Sequence, residues 1–337
     1  MSEPIILAIE SSCDDTSAAV IKGNTILSNI IASQKVHEQY GGVVPELASR
    51  AHQQNIVPVV ATALNNAKVT QKDLTAIAYT RGPGLLGSLL VGSSFAKSMS
   101  IALNIPLIEV NHMQAHIFAH FISDANEQRP SFPFLCLTVS GGHTQIVKIS
   151  SYTELEVLGE TKDDAAGEAF DKIGKVLGLP YPAGPVMDRL AQTGNPEKFV
   201  FTKPKMPGYD FSFSGLKTGV MNFLNKEKQK NPNFVEENLN DLCASVQHTI
   251  TEMCVEKLLQ AAQDLNIKHI ALAGGVSANS ELRKKIKNLE KLGFTTYIPK
   301  FEYTTDNAAM IAMVGSIKYQ AQSFSDVSAK TIARYKL

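Results

Sequence analysis

The hydrophobic positions of the chain form short apolar runs that alternate with stretches of helical spacing. Runs such as IILAI, SAAVI, FLCLTVS, TQIVKIS and KHIALA have the length of buried β-strands. The stretch DDAAGEAFDKIGKVLG instead places the apolar side chains of Phe170, Ile173 and Leu177 on one helical face. Because strands and helices are mixed throughout, the pattern predicts an α/β fold.

One strand pattern occurs twice. IILAI and SAAVI flank ESSCDDT, and FLCLTVS and TQIVKIS flank GGH, so each copy indicates two strands joined by a turn. The polar, proline-containing segment SDANEQRPSFP lies between the copies, as a domain boundary would. The repeat predicts two related domains facing each other across a cleft, with coincidence as the alternative because strand hairpins are common.

Glycine-rich turns follow two of the predicted strands. They are SGGHT and GGVSAN, and GGVSAN precedes the basic helical stretch SELRKKIKNLEKL. Glycine has no Cβ, so ligand oxygens can approach backbone N–H groups closely, and a helix N-terminus adds attraction for phosphate. The turns indicate a site for a nucleotide-sized anion, with ordinary structural turns as the alternative.

The segment RGPGLLGS matches the dinucleotide-binding fingerprint. Gly82, Gly84 and Gly87 follow the strand LTAIAYT and precede Glu109 by about twenty residues, as the fingerprint requires. Pro83, however, removes an N–H group from the loop that would hold the pyrophosphate. We therefore predict a tight loop with close helix packing, and expect Glu109 to be a strand-end residue without a ribose partner.

The stretch NHMQAHIFAH spaces three histidines four residues apart. Residues four apart lie on one helical face about 6 Å apart along the axis, so His112 and His116 can share one metal ion. His120 lies roughly 12 Å along the axis from His112, too far to join them. Met113 stands where a zinc protease needs the glutamate of HExxH, which argues against proteolysis. A pair of structural histidines is the alternative.

A third metal ligand has to come from elsewhere, and a carboxylate would complete a set of two histidines and one acid. The residues alone leave several candidates open. These are Asp14, Asp15, Asp306 and the row Asp164, Glu168 and Asp171. The row lies on the face of its helix opposite the apolar one, so a solvated surface is the more frequent explanation for it.

Composition limits the remaining classes. The 337 residues suggest two domains, and a formal net charge of zero provides no global field for nucleic acid or anionic membrane. The four cysteines form no CxxC pair, which favours a reduced, cytoplasmic protein. The stretch LLGSLLVGSSFAKSMSIAL contains Lys97 and several serines and glycines, so we expect a buried helix there and no membrane span.

Taken together, several motifs resemble one family across almost the whole chain. They are IESSCDDTS, YGGVVPELASRAH, YTRGPGLLGSLLVG, NHMQAH, LTVSGGHTQ, DDAAGEAFDKIGKVLGLPYPAGP, FSFSGLKT, LAGGVSAN and TTDNAAMIA. This set closely resembles the bacterial TsaD members of the tRNA threonylcarbamoyladenosine transferase family, formerly called glycoproteases. The resemblance implies an actin, sugar-kinase and Hsp70 (ASKHA) fold, with two related domains around a nucleotide cleft. We expect these domains at residues 1–125, completed by a C-terminal helix over 306–337, and at 126–305.

The resemblance also implies a reaction and its partners. The threonylcarbamoyl group of threonylcarbamoyl-AMP would pass to N6 of the adenosine 3′ of the anticodon in tRNAs that read ANN codons, releasing AMP. The implied partners are tRNA and homologues of TsaB and TsaE. Since the chain has no net positive charge, tRNA binding is expected to use a local basic face and these partners. An ATPase of the same fold, an NAD-dependent dehydrogenase and a non-catalytic scaffold are the rival classes.

Site residues follow from the same resemblance. His112, His116 and Asp306 would bind one divalent metal, usually Fe²⁺ and in some assignments Zn²⁺. The positions that would hold the adenylate are Thr138, Val139, Ser140, Gly141, Gly142, Asp171, Gly184, Asp188 and Asn279. Asp14 and Asp15 are the candidates for proton transfer. We further expect Thr304 and Thr305 to cap the helix that follows Asp306.

Overall fold

The computed structural model describes residues 3–123 and 128–337. The chain forms two compact units, one of Met1–Arg129 with Thr305–Leu337 and the other of Pro130–Thr304. The domain boundary expected at residues 125 and 126 lies outside the described residues. Each unit is built around one five-stranded sheet flanked by helices, so the predicted α/β class is confirmed.

The first unit is organised by a buried central strand. Up to residue 118 its elements are β1 (Ile5–Glu10), β2 (Thr16–Lys22), β3 (Thr25–Ala32), α1 (Pro45–Ala67), β4 (Ala76–Gly82), α2 (Leu86–Leu103), β5 (Leu107–Asn111) and α3 (His112–Phe118). The strand order is β3-β2-β1-β4-β5, with β1 antiparallel to β2 and parallel to β4. From its second residue onward β1 is buried, as a strand covered on both faces must be.

The second unit contains the other sheet and most of the helices. Its elements are β6 (Phe134–Val139), β7 (Thr144–Ile149), β8 (Leu155–Glu160), α4 (Ala166–Val176), α5 (Ala183–Ala191), α6 (Ser214–Lys230), α7 (Phe234–Glu237), α8 (Leu239–Asp264), β9 (His269–Ala273), α9 (Ser280–Asn288) and β10 (Thr295–Tyr297). The strand order is β10-β9-β6-β7-β8. Helix α8 supplies many apolar side chains to the core of this unit.

The two sheets share one topology. In both, three consecutive strands pair antiparallel, and two later strands add in parallel beyond the first of them. Strands β1 to β5 therefore correspond in order to β6 to β10. The hairpins predicted at IILAI/SAAVI and FLCLTVS/TQIVKIS are the equivalent β1–β2 and β6–β7 pairs, so the sequence repeat was a structural repeat and not a coincidence.

The chain returns to the first unit through one helix, α10 (Ala308–Gln320). Ala308 N donates to Ser17 Oγ at 2.8 Å, which joins the helix start to β2. The helix is shorter than the expected 306–337. It stops because Gln322 adopts a left-handed backbone conformation with φ of 53°, while Ser323 N donates back to Lys318 O. Residues 321–337 form no helix.

The RGPGLLGS segment packs tightly against other backbone, as predicted. A Cβ on Gly82 would lie 1.9 Å from Ile332 O, and one on Gly84 would lie 2.4 Å from a backbone oxygen in the turn after β1. The expectation for Glu109 was wrong, because this residue is in the middle of β5. Its carboxylate accepts a hydrogen bond from Arg81 Nη1 at 2.6 Å, so it is engaged by a cation within the protein.

Helix α2 exposes one apolar face. By length and composition alone it could cross a membrane, with a mean hydropathy of 1.3, although core helices of globular proteins pass the same test. Leu89, Gly92 and Ala96 are buried, whereas Leu86 and Leu90 are 52% and 48% exposed. The expected buried helix is therefore buried on one face only.

Candidate metal centre and nucleotide pocket

Three predicted metal ligands meet in the first unit. His112 is the first residue of α3 and His116 lies one turn later, both buried. Asn111 caps α3 by accepting from Met113 N and Gln114 N, which fixes where this short helix begins. Asp306 comes from the segment before α10. Its carboxylate and the two imidazoles form a group whose ligand atoms lie within 4.8 Å of one another.

The spacing of these atoms fits a single ion. His116 Nε2 lies 3.1 Å and His112 Nε2 lies 3.4 Å from the same oxygen, Asp306 Oδ1. Bonds from zinc to imidazole nitrogen or carboxylate oxygen are about 2.0–2.2 Å, so two ligands of one ion stand about 3.0–3.5 Å apart. The group could therefore bind a metal with no rearrangement of these pairs.

A buried acid, Glu10, orients the first of these histidines. Glu10 ends β1 with no exposed surface, and its Oε2 lies 3.1 Å from His112 Nδ1. Thr80 Oγ1 and Ser12 N donate to the same carboxylate at 2.6 and 2.5 Å. An imidazole that donates from Nδ1 keeps Nε2 free to bind a metal, the arrangement found behind many metal-bound histidines. By contrast, His116 Nδ1 has no hydrogen-bond partner among the described residues.

The electrostatics of this cluster favour positive charge at its centre. Burial opposes the charged form of His112, but the carboxylates of Asp306 and Glu10 outweigh it and raise the pKa of His112 well above its usual value. Burial would raise the pKa of Asp306 and of Glu10, yet His112 holds both below their ordinary values. The buried carboxylate of Glu10 and the partly exposed one of Asp306 face two imidazoles, and a divalent cation would balance their charge.

The third histidine of the run and the expected helix caps lie outside the group of ligand atoms. His120 lies after α3, in a short 3₁₀ turn of Ala119–Phe121, and is not in the group of ligand atoms. The expected helix caps were wrong. Asn307 is the residue that caps α10, accepting from Met310 N at 3.1 Å, while Thr304 Oγ1 donates backward to Phe301 O. Asp306 thus immediately precedes the cap residue.

The acidic turn between β1 and β2 lies within electrostatic reach of the metal group. Burial and the charge of Asp14 raise the pKa of Asp15 to about 7, and Asp306 adds to this shift. His52 of α1 holds both ends of the turn, because its Nε2 lies 3.0 Å from Cys13 O and its Nδ1 2.7 Å from Thr16 Oγ1. Burial lowers the pKa of His52 and so favours its neutral ring, which can donate from Nε2 to Cys13 O and accept at Nδ1 from the Thr16 hydroxyl. Sequence reasoning assigned no role to His52 or to Glu10.

A cavity of about 290 Å³ lies in the second unit. Five of the predicted adenylate residues line it, namely Gly141, Asp171, Gly184, Asp188 and Asn279. The other four, Thr138, Val139, Ser140 and Gly142, do not line it; Thr138 and Val139 are buried in β6. Residues that sequence reasoning missed also contribute, among them Phe170, Gly275 and Val276. The wall is formed mainly by glycine turns and helix starts.

The polar side chains of the cavity are engaged with the protein. Asp171 Oδ1 accepts from Ala183 N at 2.8 Å, at the start of α5. Asp188 accepts from Ser280 Oγ at 2.6 Å and from Gln247 Nε2 at 3.0 Å. Burial raises the pKa of Asp171 although backbone N–H groups oppose this shift. These carboxylates therefore line the cavity and also stabilise the positions of the helices around it.

The predicted acidic row on α4 does not exist as a row. Asp164 precedes the helix, which begins at Ala166, and together with Glu168 it pairs with Lys172 at 2.6 and 2.9 Å. Asp171 is separate and half-buried, beside the cavity. The surface explanation fits Glu168, whose side chain is 44% exposed, but not Asp164, which is 15% exposed, or Asp171, which contacts the start of α5.

Comparison with known proteins identifies the family. The model of the TsaD family, described as tRNA N6-adenosine threonylcarbamoyltransferase, matches residues 25–313. The chain belongs to the TsaD family. Relatives with that name are 62% identical over 338 residues in Riemerella anatipestifer and 61% identical over 332 residues in Christiangramia forsetii. The first alignment covers 100% of this chain and 99% of the relative, and the second covers 98% of each. The predicted family and the transferase class are confirmed.

A solved structure supports the fold. HypF from T. kodakarensis is similar with a TM-score of 0.65 at 13% sequence identity, over 98% of this chain and 50% of that one. Such a distant likeness concerns the fold alone. Together with the two equivalent five-stranded sheets, it confirms the predicted ASKHA type for this TsaD family member.

Proposed function

We propose that this chain transfers the threonylcarbamoyl group from threonylcarbamoyl-AMP to N6 of the adenosine 3′ of the anticodon in tRNAs that read ANN codons, releasing AMP. A C–N bond forms at N6, the bond between the acyl carbon and the phosphate oxygen breaks, and N6 loses a proton. The observation that carries the proposal is the convergence of His112, His116 and Asp306 in a chain 62% identical to a relative with this transferase name.

The metal would be one divalent ion, Fe²⁺ or Zn²⁺, held by His112 Nε2, His116 Nε2 and Asp306. Two imidazoles and one carboxylate suit either ion and leave positions open for substrate oxygens. When bound, such an ion supplies Lewis-acid polarisation of the acyl group. Glu10 fixes the ring of His112 for this task.

The adenylate would bind in the cavity of the second unit. Gly141, Gly184 and Asn279 line its wall and support this assignment. The glycines leave room for a ligand, and the starts of α5 and α9 favour an anion through the helix dipole. Asp171 and Asp188 remain in the proposed set, and their hydrogen bonds also connect the helix starts that form the cavity wall. Thr138 and Val139 at the end of β6, and Ser140 and Gly142 in the following β6–β7 connection, complete the set.

The base that removes the N6 proton would be Asp15, with Asp14 beside it. A general base works best with a pKa near the operating pH, and the pKa of Asp15 is raised to about 7. His52 keeps the turn in place from behind.

The cellular setting of the proposal is a cytoplasmic complex with tRNA and homologues of TsaB and TsaE. It is supported by the family membership and by free rather than disulfide-bonded cysteines in the described part of the chain. We also propose two domains, residues 1–125 with 306–337 and residues 126–305, supported by the two compact units.

The test is a reconstituted transfer reaction. Anaerobically purified protein is analysed for metal, then incubated with threonylcarbamoyl-AMP, unmodified tRNA and the two partner proteins. We expect about one divalent ion per chain and AMP released in step with threonylcarbamoyl-adenosine in the tRNA. AMP release with no modified nucleoside would indicate a hydrolase and contradict the proposal.

A further inference from the structure

The last residues of the chain form no helix and are hydrogen-bonded through their backbone to the rest of the first unit. We call residues 325–336 the C-terminal strap. Arg81 Nε donates to Lys330 O at 2.8 Å, Gly84 N donates to Ala333 O at 3.1 Å, and Ile332 N donates to Arg81 O at 2.9 Å. Gly82 has no room for a side chain because Ile332 O occupies that space. The strap is therefore packed and hydrogen-bonded as part of the first unit.

The end of the strap reaches the metal helix. Asn111 Nδ2 donates to Lys336 O at 3.1 Å, while Asn111 Oδ1 caps α3 immediately before His112. One asparagine side chain thus joins the strap to the helix that carries two of the proposed metal ligands. A group bound by the strap at this end lies beside the place where the acyl group is to be transferred.

The side chains of the strap are basic, exposed and without ionic partners. Lys330, Arg334 and Lys336 are exposed, and within residues 3–123 and 128–337 no acid lies within ion-pairing distance of them. The single acid of the strap, Asp326, accepts from Ser328 N at its far end. Other lysines, such as Lys203, are paired with glutamates. The strap is held by hydrogen bonds to its backbone carbonyls, so the charged groups of its lysines and arginine remain available to bind an external anion.

We propose that the C-terminal strap binds the phosphate backbone of the tRNA next to the nucleotide being modified. The inference rests on the proposed function for the identity of the polyanion. A chain with no net charge requires a local basic face to bind RNA, and three cations on a hydrogen-bonded backbone beside the metal helix provide one. Phosphate contacts of this kind position the RNA and do not read its sequence.

The experiment compares two triple variants in complex with the partner proteins. One carries Lys330→Gln, Arg334→Gln and Lys336→Gln. The matched control carries Lys226→Gln, Lys228→Gln and Lys291→Gln, which removes the same charge from exposed lysines of the second unit that have no ionic partner among the described residues. Affinity for unmodified tRNA is measured at several salt concentrations, together with bound metal and the KM for threonylcarbamoyl-AMP.

We expect the strap variant to bind tRNA at least about tenfold more weakly and to lower the slope of log affinity against log salt by about 2. Its metal content and KM for threonylcarbamoyl-AMP should match the control. Equal tRNA binding by the two variants, no tRNA binding by the wild type, or loss of metal in the strap variant would each overturn the proposal. Normal tRNA binding by a wild type that transfers nothing would count against the proposed function while leaving the strap supported by its own binding data.

Discussion

The metal group of the first unit and the cavity of the second differ in how their side chains are used. At the metal group, His112, His116 and Asp306 point their ligand atoms at one another, with Glu10 behind them. At the cavity, Asp188 and its neighbours are engaged with the protein, and the surface is largely glycine turns and helix starts. Side-chain identity therefore defines the proposed metal group, whereas backbone shape defines most of the cavity surface.

The largest effect is expected from the metal ligands themselves. His112→Ala, His116→Ala and Asp306→Ala should each lose the metal and most transfer activity, since each removes one of three converging ligands. His120→Ala is the matched control, because it lies on the following 3₁₀ turn and should remain near wild type. Metal content and transfer are measured on the same preparations. Full metal occupancy in Asp306→Ala, or its loss in His120→Ala, contradicts the assignment.

The second largest loss of transfer activity is expected from a change at Asp15. As a carboxylate whose pKa is raised to about 7, it is protonated below that pH and can act as a base above it. The rate in the wild type should therefore rise with pH through an inflection at or below about 7, since a nearby cation favours the carboxylate. Asp15→Asn should lower kcat/KM by about 10² and remove this rise. Asp14→Asn is measured alongside as the companion variant. If the pH profile of Asp15→Asn is unchanged from wild type, Asp15 is not the general base.

Glu10 tests whether the support behind the metal group is functional. Glu10→Gln keeps the shape of the side chain but removes the negative charge facing His112 Nδ1 at 3.1 Å. Loss of such an outer partner typically weakens metal binding about 10- to 100-fold, so we expect that range in a competition titration with a chelator. Ser12→Ala is the control, since its hydroxyl contacts the same nitrogen at 3.2 Å without a charge. Equal metal affinity in Glu10→Gln and wild type would show that the carboxylate has only a structural role.

The sequence predicted features that depend on local patterns and missed those that depend on contacts between distant segments. The spacing of His112 and His116 and the two strand hairpins are local patterns, and both appear in the structure as expected. Glu10 was missed because its function depends on β1 and α3 lying side by side, which no local pattern contains. The helical pattern alone favoured a solvated face for Asp171, and only the family resemblance assigned it to the adenylate. The pattern failed because the contacting helix α5 comes from a later part of the chain.

The smallest effect is expected from substituting either of two adjacent glycines, Gly141 and Gly142, and the comparison of their ligand affinities tests the cavity. The family resemblance assigned both Gly141 and Gly142 to the adenylate, but only Gly141 is on the cavity wall. A Cβ at either position would meet no atom within 4 Å, and neither glycine has a left-handed backbone, so valine should leave the fold intact at both. In Gly141→Val the new side chain would take up space where the adenylate is to lie against backbone N–H groups. We therefore expect a loss of about tenfold in affinity for a non-hydrolysable threonylcarbamoyl-AMP analogue with Gly141→Val, and a lesser loss with Gly142→Val, measured by calorimetry. Equal affinities in both variants and the wild type would place the adenylate outside this cavity, whereas a greater loss at Gly142 would move its binding surface onto the β6–β7 connection.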